Sequence, residues 1–237
     1  MILEVCIDSV ESALAAQEGG AARVELCADL ERGGTTPSAG MIESVREHIS
    51  IALYAMIRPR PGDFCYSEYE FEVMKSDVEK AKALGVDGVV FGILTSRGTI
   101  DTERARKLVE LARPLSVTFH RAIDDCMDLL KAMEDLKEIG VNRLLTSGGM
   151  TNVADGIETL KTLVENSGPS LRVIAGGGIT FENVRDVVSR SGVREVHALS
   201  ALCSAMRVQP LSNSPDPPRY LVDSEKVRLM LQLFRQA

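Results

Sequence analysis

Cys6 and Cys27 are the residues of this sequence best suited to holding a soft ion. Each lies near the C-terminal end of a short apolar run. In each run the alternation puts the cysteine on the same face as a carboxylate, Glu4 with Cys6 and Glu25 with Cys27. If the two runs are neighbouring parallel strands, about 4.8 Å apart, the thiols face one another. Thiolates favour Cu(I), which two sulfurs can hold in a near-linear arrangement, and Met56 could add a thioether. A free cysteine is also a common small apolar filler, and two facing thiols could form a functional dithiol. Cys65, Cys126 and Cys203 lack the spacing of a structural zinc site, and Cys65 is the most exposed candidate.

A second set of residues suits an anion. Arg58-Pro59-Arg60-Pro61-Gly62 offers two guanidinium groups stiffened by prolines, a form suited to carboxylate or phosphate. The alternative is a solvated basic loop. Gly176-Gly177-Gly178-Ile179-Thr180 is expected to open a helix, with the Gly177 and Gly178 amides converging on an anion. A tight turn would need the same glycines. Thr146 and Ser147 would add hydroxyl donors to that rim. His120 is a candidate general acid or base, oriented by Asp124 or a glutamate, with Glu25 as its acid–base partner. A satisfied core histidine is the competing reading.

These residues need a scaffold that brings distant segments to one rim. Eight short apolar runs begin at Ile2, Arg23, Ile51, Gly88, Ser116, Arg143, Arg172 and Glu195, and segments of helical period separate them. Phe71, Met74, Val78 and Ala81 form one apolar stripe; Leu129, Leu130, Met133 and Leu136 form another. Gly85, Gly140 and Gly192 follow such stripes as helix ends, and Asp8 with Glu11 reads as a helix cap. The order predicts an α/β fold, a single (β/α)8 TIM barrel over residues 1–237 with an additional C-terminal helix from about Asp223. A doubly wound open sheet is the alternative. The Pro/Ser-rich stretch at about 208–222 reads as an exposed loop before that helix.

Alternation then assigns faces. Leu3, Val5, Ile7, Val24, Leu26, Leu53, Ala55, Ile57, Val117 and Phe119 would meet the helices. Glu4, Cys6, Glu25, Cys27, Tyr54, Met56, Arg58, Thr118 and His120 would point inward, with His197. Barrel interiors are usually filled by branched apolar residues, so this polar set is expected to form a connected network in which Arg58 neutralises Glu25 or Glu4.

Composition narrows the class. The 237 residues carry 34 acidic and 27 basic side chains, a formal charge of −7, which argues against a broad nucleic-acid surface. No run of about 18 apolar residues is present to span a membrane. The N-terminus lacks the basic region of a signal peptide, and five cysteines suit reduced thiols in the cytoplasm.

Several phrases together resemble the copper-homeostasis CutC family, the TIM-barrel proteins and not the glycyl-radical enzyme of the same short name. They are Glu4-Val5-Cys6, Ala22-Arg23-Val24-Glu25-Leu26-Cys27, Gly33-Gly34-Thr35-Thr36-Pro37-Ser38, Met56-Ile57-Arg58-Pro59-Arg60, Thr118-Phe119-His120-Arg121 and Gly176-Gly177-Gly178-Ile179-Thr180. The resemblance runs to about His197. It implies a cytosolic TIM barrel that forms homo-oligomers and handles copper, with Cu(I) held by Cys6 and Cys27. After His197 the chain reads Ala198-Leu199-Ser200-Ala201, one residue longer than the family's pattern.

Two functions follow. One is a cytosolic copper-homeostasis protein with Cu(I) at the barrel mouth and no turnover. The other is a metal-independent enzyme for a small phosphorylated or carboxylated metabolite. Glu25 and His120 would then be catalytic, and Arg58, Arg60, Thr146, Ser147, Gly177 and Gly178 would bind the anion.

Overall fold

A computed structural model describes residues 1–205 and 219–236. Eight parallel strands close into one barrel in sequence order: β1 (Ile2–Ile7), β2 (Arg23–Leu26), β3 (Ala52–Met56), β4 (Gly88–Phe91), β5 (Ser116–Phe119), β6 (Arg143–Thr146), β7 (Arg172–Ala175) and β8 (Glu195–Ala198). Parallel neighbours need crossovers, and helices supply them: α1 (Val10–Glu18), α2 (Ala39–His48), α3 (Glu68–Ala83), α4 (Thr102–Ala112), α5 (Leu129–Ile139), α6 (Ile157–Ser167) and α7 (Val184–Ser191). The C-terminal helix α8 (Ser224–Arg235) packs against α7 and α1, and so takes the eighth place in the ring.

Local chemistry starts and stops these helices. Ser67 and Glu70 form a reciprocal capping box at α3. Gly140 and Gly192 end α5 and α7 in the left-handed region. At α1 the cap is Ser9, whose hydroxyl accepts from Ser12 N, and not Asp8. Asp8 still belongs to the stretch leaving β1, one residue too early to reach the first free amides.

Two packing layers follow from strand alternation. Leu3, Val5, Ile7, Val24, Leu26, Leu53, Ala55, Val117 and Phe119 are buried against the helices in one large cluster. Inside the barrel a separate, small cluster contains Cys6, Cys27, Tyr54, Met56 and Val90. The inner face therefore carries little of the apolar core and is free to hold polar chemistry. Tyr54 spans part of this interior because β4 begins with glycine: a Cβ at Gly88 would lie 2.6 Å from the Tyr54 ring.

Past β8 the chain forms β9 (Cys203–Ala205), which pairs antiparallel with β10 (Tyr220–Val222). This pair has no counterpart in the apolar runs of the sequence, and it places Cys203 on a strand. Of the Pro/Ser-rich stretch, residues 208–218 lie outside the described residues, while Tyr220–Val222 is strand and not loop.

Candidate metal centre at the barrel mouth

The register of β1, β2 and β8 builds the site. Glu4 pairs with Arg23 on one side and His197 on the other, and Cys6 lies beside Glu25. Because side chains alternate, all of these point inward. The Cys6 and Cys27 sulfurs come within 3.9 Å, and Cys27 Sγ lies 3.7 Å from Glu25 Oε2. One donor atom from each of Cys6, Glu25 and Cys27 fits within 4.8 Å of the others. Gly34, at φ +82°, covers the pair; a Cβ there would stand 3.1 Å from Cys27 Sγ.

Below the thiols, charge is neutralised in a chain. Arg23 Nε donates to Glu4 Oε2, and its Nη2 donates to Glu195 Oε2 at 2.7 Å. Arg143 stands 3.4 Å from Glu195 and donates to Tyr54 Oη at 2.7 Å and to Ser116. His197 Nδ1 donates to Glu4 Oε1 at 2.7 Å, which turns Nε2 toward Glu25, 3.7 Å away. Glu195 and Arg143 escaped notice in the sequence, although the period-two alternation of their strands puts them on the inner face with His197 and Leu145.

These contacts set protonation. Burial alone would raise Glu4, but Arg23 and His197 hold it at about 2. Burial, with the nearby Cys6 and Glu4, pushes Glu25 well above the usual carboxylate range against the pull of His197, and its Oε1 has no hydrogen-bond partner. The Cys27 thiol donating to Cys6 pulls Cys6 down to about 6, helped by His197 and opposed by burial. Cys27 itself moves up, through that bond and through burial. The pair thus shares one proton, leaving one thiolate ready for a soft cation. Burial acts to lower His197, but its contacts with Glu25, Cys6 and Glu4 outweigh it and raise it well above its ordinary value.

The anion candidates come out differently. Arg58 does not neutralise Glu25 or Glu4; its guanidinium donates to the carbonyls of Arg32, Gly34 and Gly62. It lies beyond the end of β3, above the layer in which Arg23 meets Glu4. Arg60 is taken up by Glu70 and Asp63. Thr146 and Ser147 both donate to Asp124, which also accepts from Arg121 and the Gly149 amide. Asp124 therefore does not orient His120. Instead His120 Nδ1 accepts from the Ala122 amide at 3.1 Å. Burial and the nearby Arg58 push His120 down to about 3, so it is neutral. Gly177 and Gly178 sit in a turn that ends six residues before α7 begins, outside that helix's first turn.

A cavity of about 290 Å³ opens over this arrangement. Cys6, Glu25, Cys27 and His197 line one side, Arg58 and His120 another, and Gly177 and Gly178 a third. Glu25 and His120 face this cavity from different walls, and no hydrogen bond joins them among the described residues. Leu199 packs on the thiol cluster.

The sequence pattern of the CutC family matches residues 1–202. The chain belongs to the CutC family. A mouse "Copper homeostasis protein cutC homolog" is 48% identical over 204 residues, covering 86% of this chain and 73% of that protein. A CutC family protein of Xanthomonas campestris is 43% identical over 240 residues, covering all of both. The crystal structure of the putative copper homeostasis protein CutC from Streptococcus agalactiae superposes with a TM-score of 0.79 at 33% identity. It covers 83% of this chain and 97% of that one. This CutC-family chain is thus a TIM barrel of a copper-homeostasis family. No helix among its described residues is long and apolar enough to cross a membrane.

Proposed function

We propose that the chain binds one Cu(I) ion at the C-terminal mouth of the barrel through Cys6 and Cys27, and serves copper homeostasis in the cytoplasm. The observation that carries this reading is the 3.9 Å approach of two buried thiols, one of them acidified. Soft sulfur donors select Cu(I) over harder ions. Metal–thiolate bonds of about 2.3 Å, the zinc value, would bend the S–metal–S angle to roughly 115° at this separation. At that separation a third ligand would complete an open trigonal arrangement, whereas a near-linear one would need the sulfurs to move apart. The third position belongs to Glu25 or to the thioether of Met56, which shares the thiol cluster.

The names of relatives that are "copper homeostasis" proteins support the same role. The five cysteines of the chain are all unpaired thiols, as a reducing cytoplasm would keep them. Copper loading displaces the shared thiol proton, so affinity rises with pH.

X-ray absorption of the Cu(I)-loaded protein tests the assignment. The expected first shell holds two thiolate sulfurs and a third ligand. A shell of nitrogen and oxygen alone would overturn it.

A further inference from the structure

The wall opposite the thiols is built differently. His120 Nδ1 accepts the Ala122 amide hydrogen, so the ring proton must sit on Nε2. That Nε2–H is buried and has no hydrogen-bond partner, although the residue lines the cavity and is only 5% exposed. Arg58 is 6% exposed and also lines the cavity, and its Nε–H is equally without a partner. Its other nitrogens reach only backbone carbonyls, and no carboxylate lies within 4.0 Å of it among the described residues. Phe64 holds the two together: its ring centroid is 5.0 Å from the Arg58 guanidinium carbon and 4.9 Å from the His120 ring.

Burying a cation without a counter-charge is costly, and so is leaving a buried N–H unpaired. Arg23 and Arg143 avoid the first cost through Glu4 and Glu195. Arg58 has no such partner. A negatively charged group entering the cavity would supply the missing charge and both missing acceptors. We infer that Arg58 and His120 form a binding site for the oxyanion group of a small organic anion, a carboxylate or a phosphate ester. The site shares the cavity with the thiols but uses none of their atoms, so it stands whether or not copper binds there.

The neutral tautomer gives His120 the role of a directional donor, while Arg58 supplies the charge. A cavity of about 290 Å³ limits the ligand to a metabolite of a few heavy-atom groups. The backbone N–H groups of Gly177, Gly178 and Ile179, which find no acceptor among the described residues, line the third wall and could meet a second polar group.

Calorimetric titration with inorganic phosphate and, separately, with glycolate tests the site on the full chain. One of these anions should saturate a single site per chain. His120→Asn keeps a short side-chain acceptor for the Ala122 amide and removes the Nε2–H; Arg58→Lys keeps the charge and removes the fork. Each should weaken binding about tenfold to a hundredfold, as expected for lost bonds to a charged partner. Cys6→Ala/Cys27→Ala should bind the anion as the wild type does, which separates this site from the copper reading. A response to phosphate alone assigns phosphate esters, and one to glycolate alone assigns carboxylates. No saturation by either at millimolar concentration, or equal binding by both variants and wild type, would overturn the inference.

Discussion

The two sides of the barrel mouth hold their charge in opposite ways. On the β1–β2–β8 side the buried basic groups meet carboxylates, Arg23 with Glu4 and Glu195, and His197 with Glu4. Above this compensated floor stand the Cys6 and Cys27 sulfurs and the Glu25 carboxyl group, within 4.8 Å of one another. On the β3–β5 side Arg58 holds only carbonyls, and His120 offers an unused donor. One cavity thus presents a pair of buried thiols on one side and an electropositive wall on the other. Buried arginines in the same barrel serve different ends, according to whether a carboxylate is in register with them.

The largest expected effect is on stability. Arg23→Met leaves Glu4 and Glu195 buried beside an apolar chain, and should cost about 3–5 kcal/mol in denaturant unfolding. Arg58→Met strands only carbonyls and should cost about 1–2 kcal/mol. Equal losses would erase the distinction between the two sides.

A smaller effect separates them by pH. His120 is held below its ordinary value, at about 3, so the unfolded chain takes up a proton first as pH falls. The stability this group contributes is complete above about pH 6.5, and is lost progressively as pH falls from there toward 3. Glu4 is likewise depressed, to about 2, and its contribution is lost only below about pH 4.5. His120→Asn should therefore lose less stability than the wild type as pH falls from 6 to 5, since the opposing contributions of Glu25 and His197 are common to both proteins. A variant curve parallel to the wild type would contradict the neutral, buried assignment.

Much of the scaffold was legible in the sequence. All eight barrel strands fall within a residue or two of the apolar runs, and strand alternation separated Leu3, Val5 and Ile7 from Glu4 and Cys6 correctly. Alternation gives a face but not a height. That is why Arg58 was paired with Glu25 or Glu4, when register gives Glu4 to Arg23. The roles of Asp124 and His120 depend on a short 3-10 turn, Arg121–Asp125, whose geometry has no periodic signal. The strands β9 and β10 are three residues long and far apart in sequence, too short for a hydrophobic pattern. The inward cysteine pair was readable; the 3.9 Å separation of its sulfurs was not.

The soft-cation side is tested most directly by an anaerobic Cu(I) competition titration of the wild type against Cys6→Ala/Cys27→Ala. Tight binding of about one Cu(I) per chain, lost in the double variant, is the predicted result. Equal, weak binding by both proteins would contradict it and leave the two cysteines as packing residues of the barrel interior.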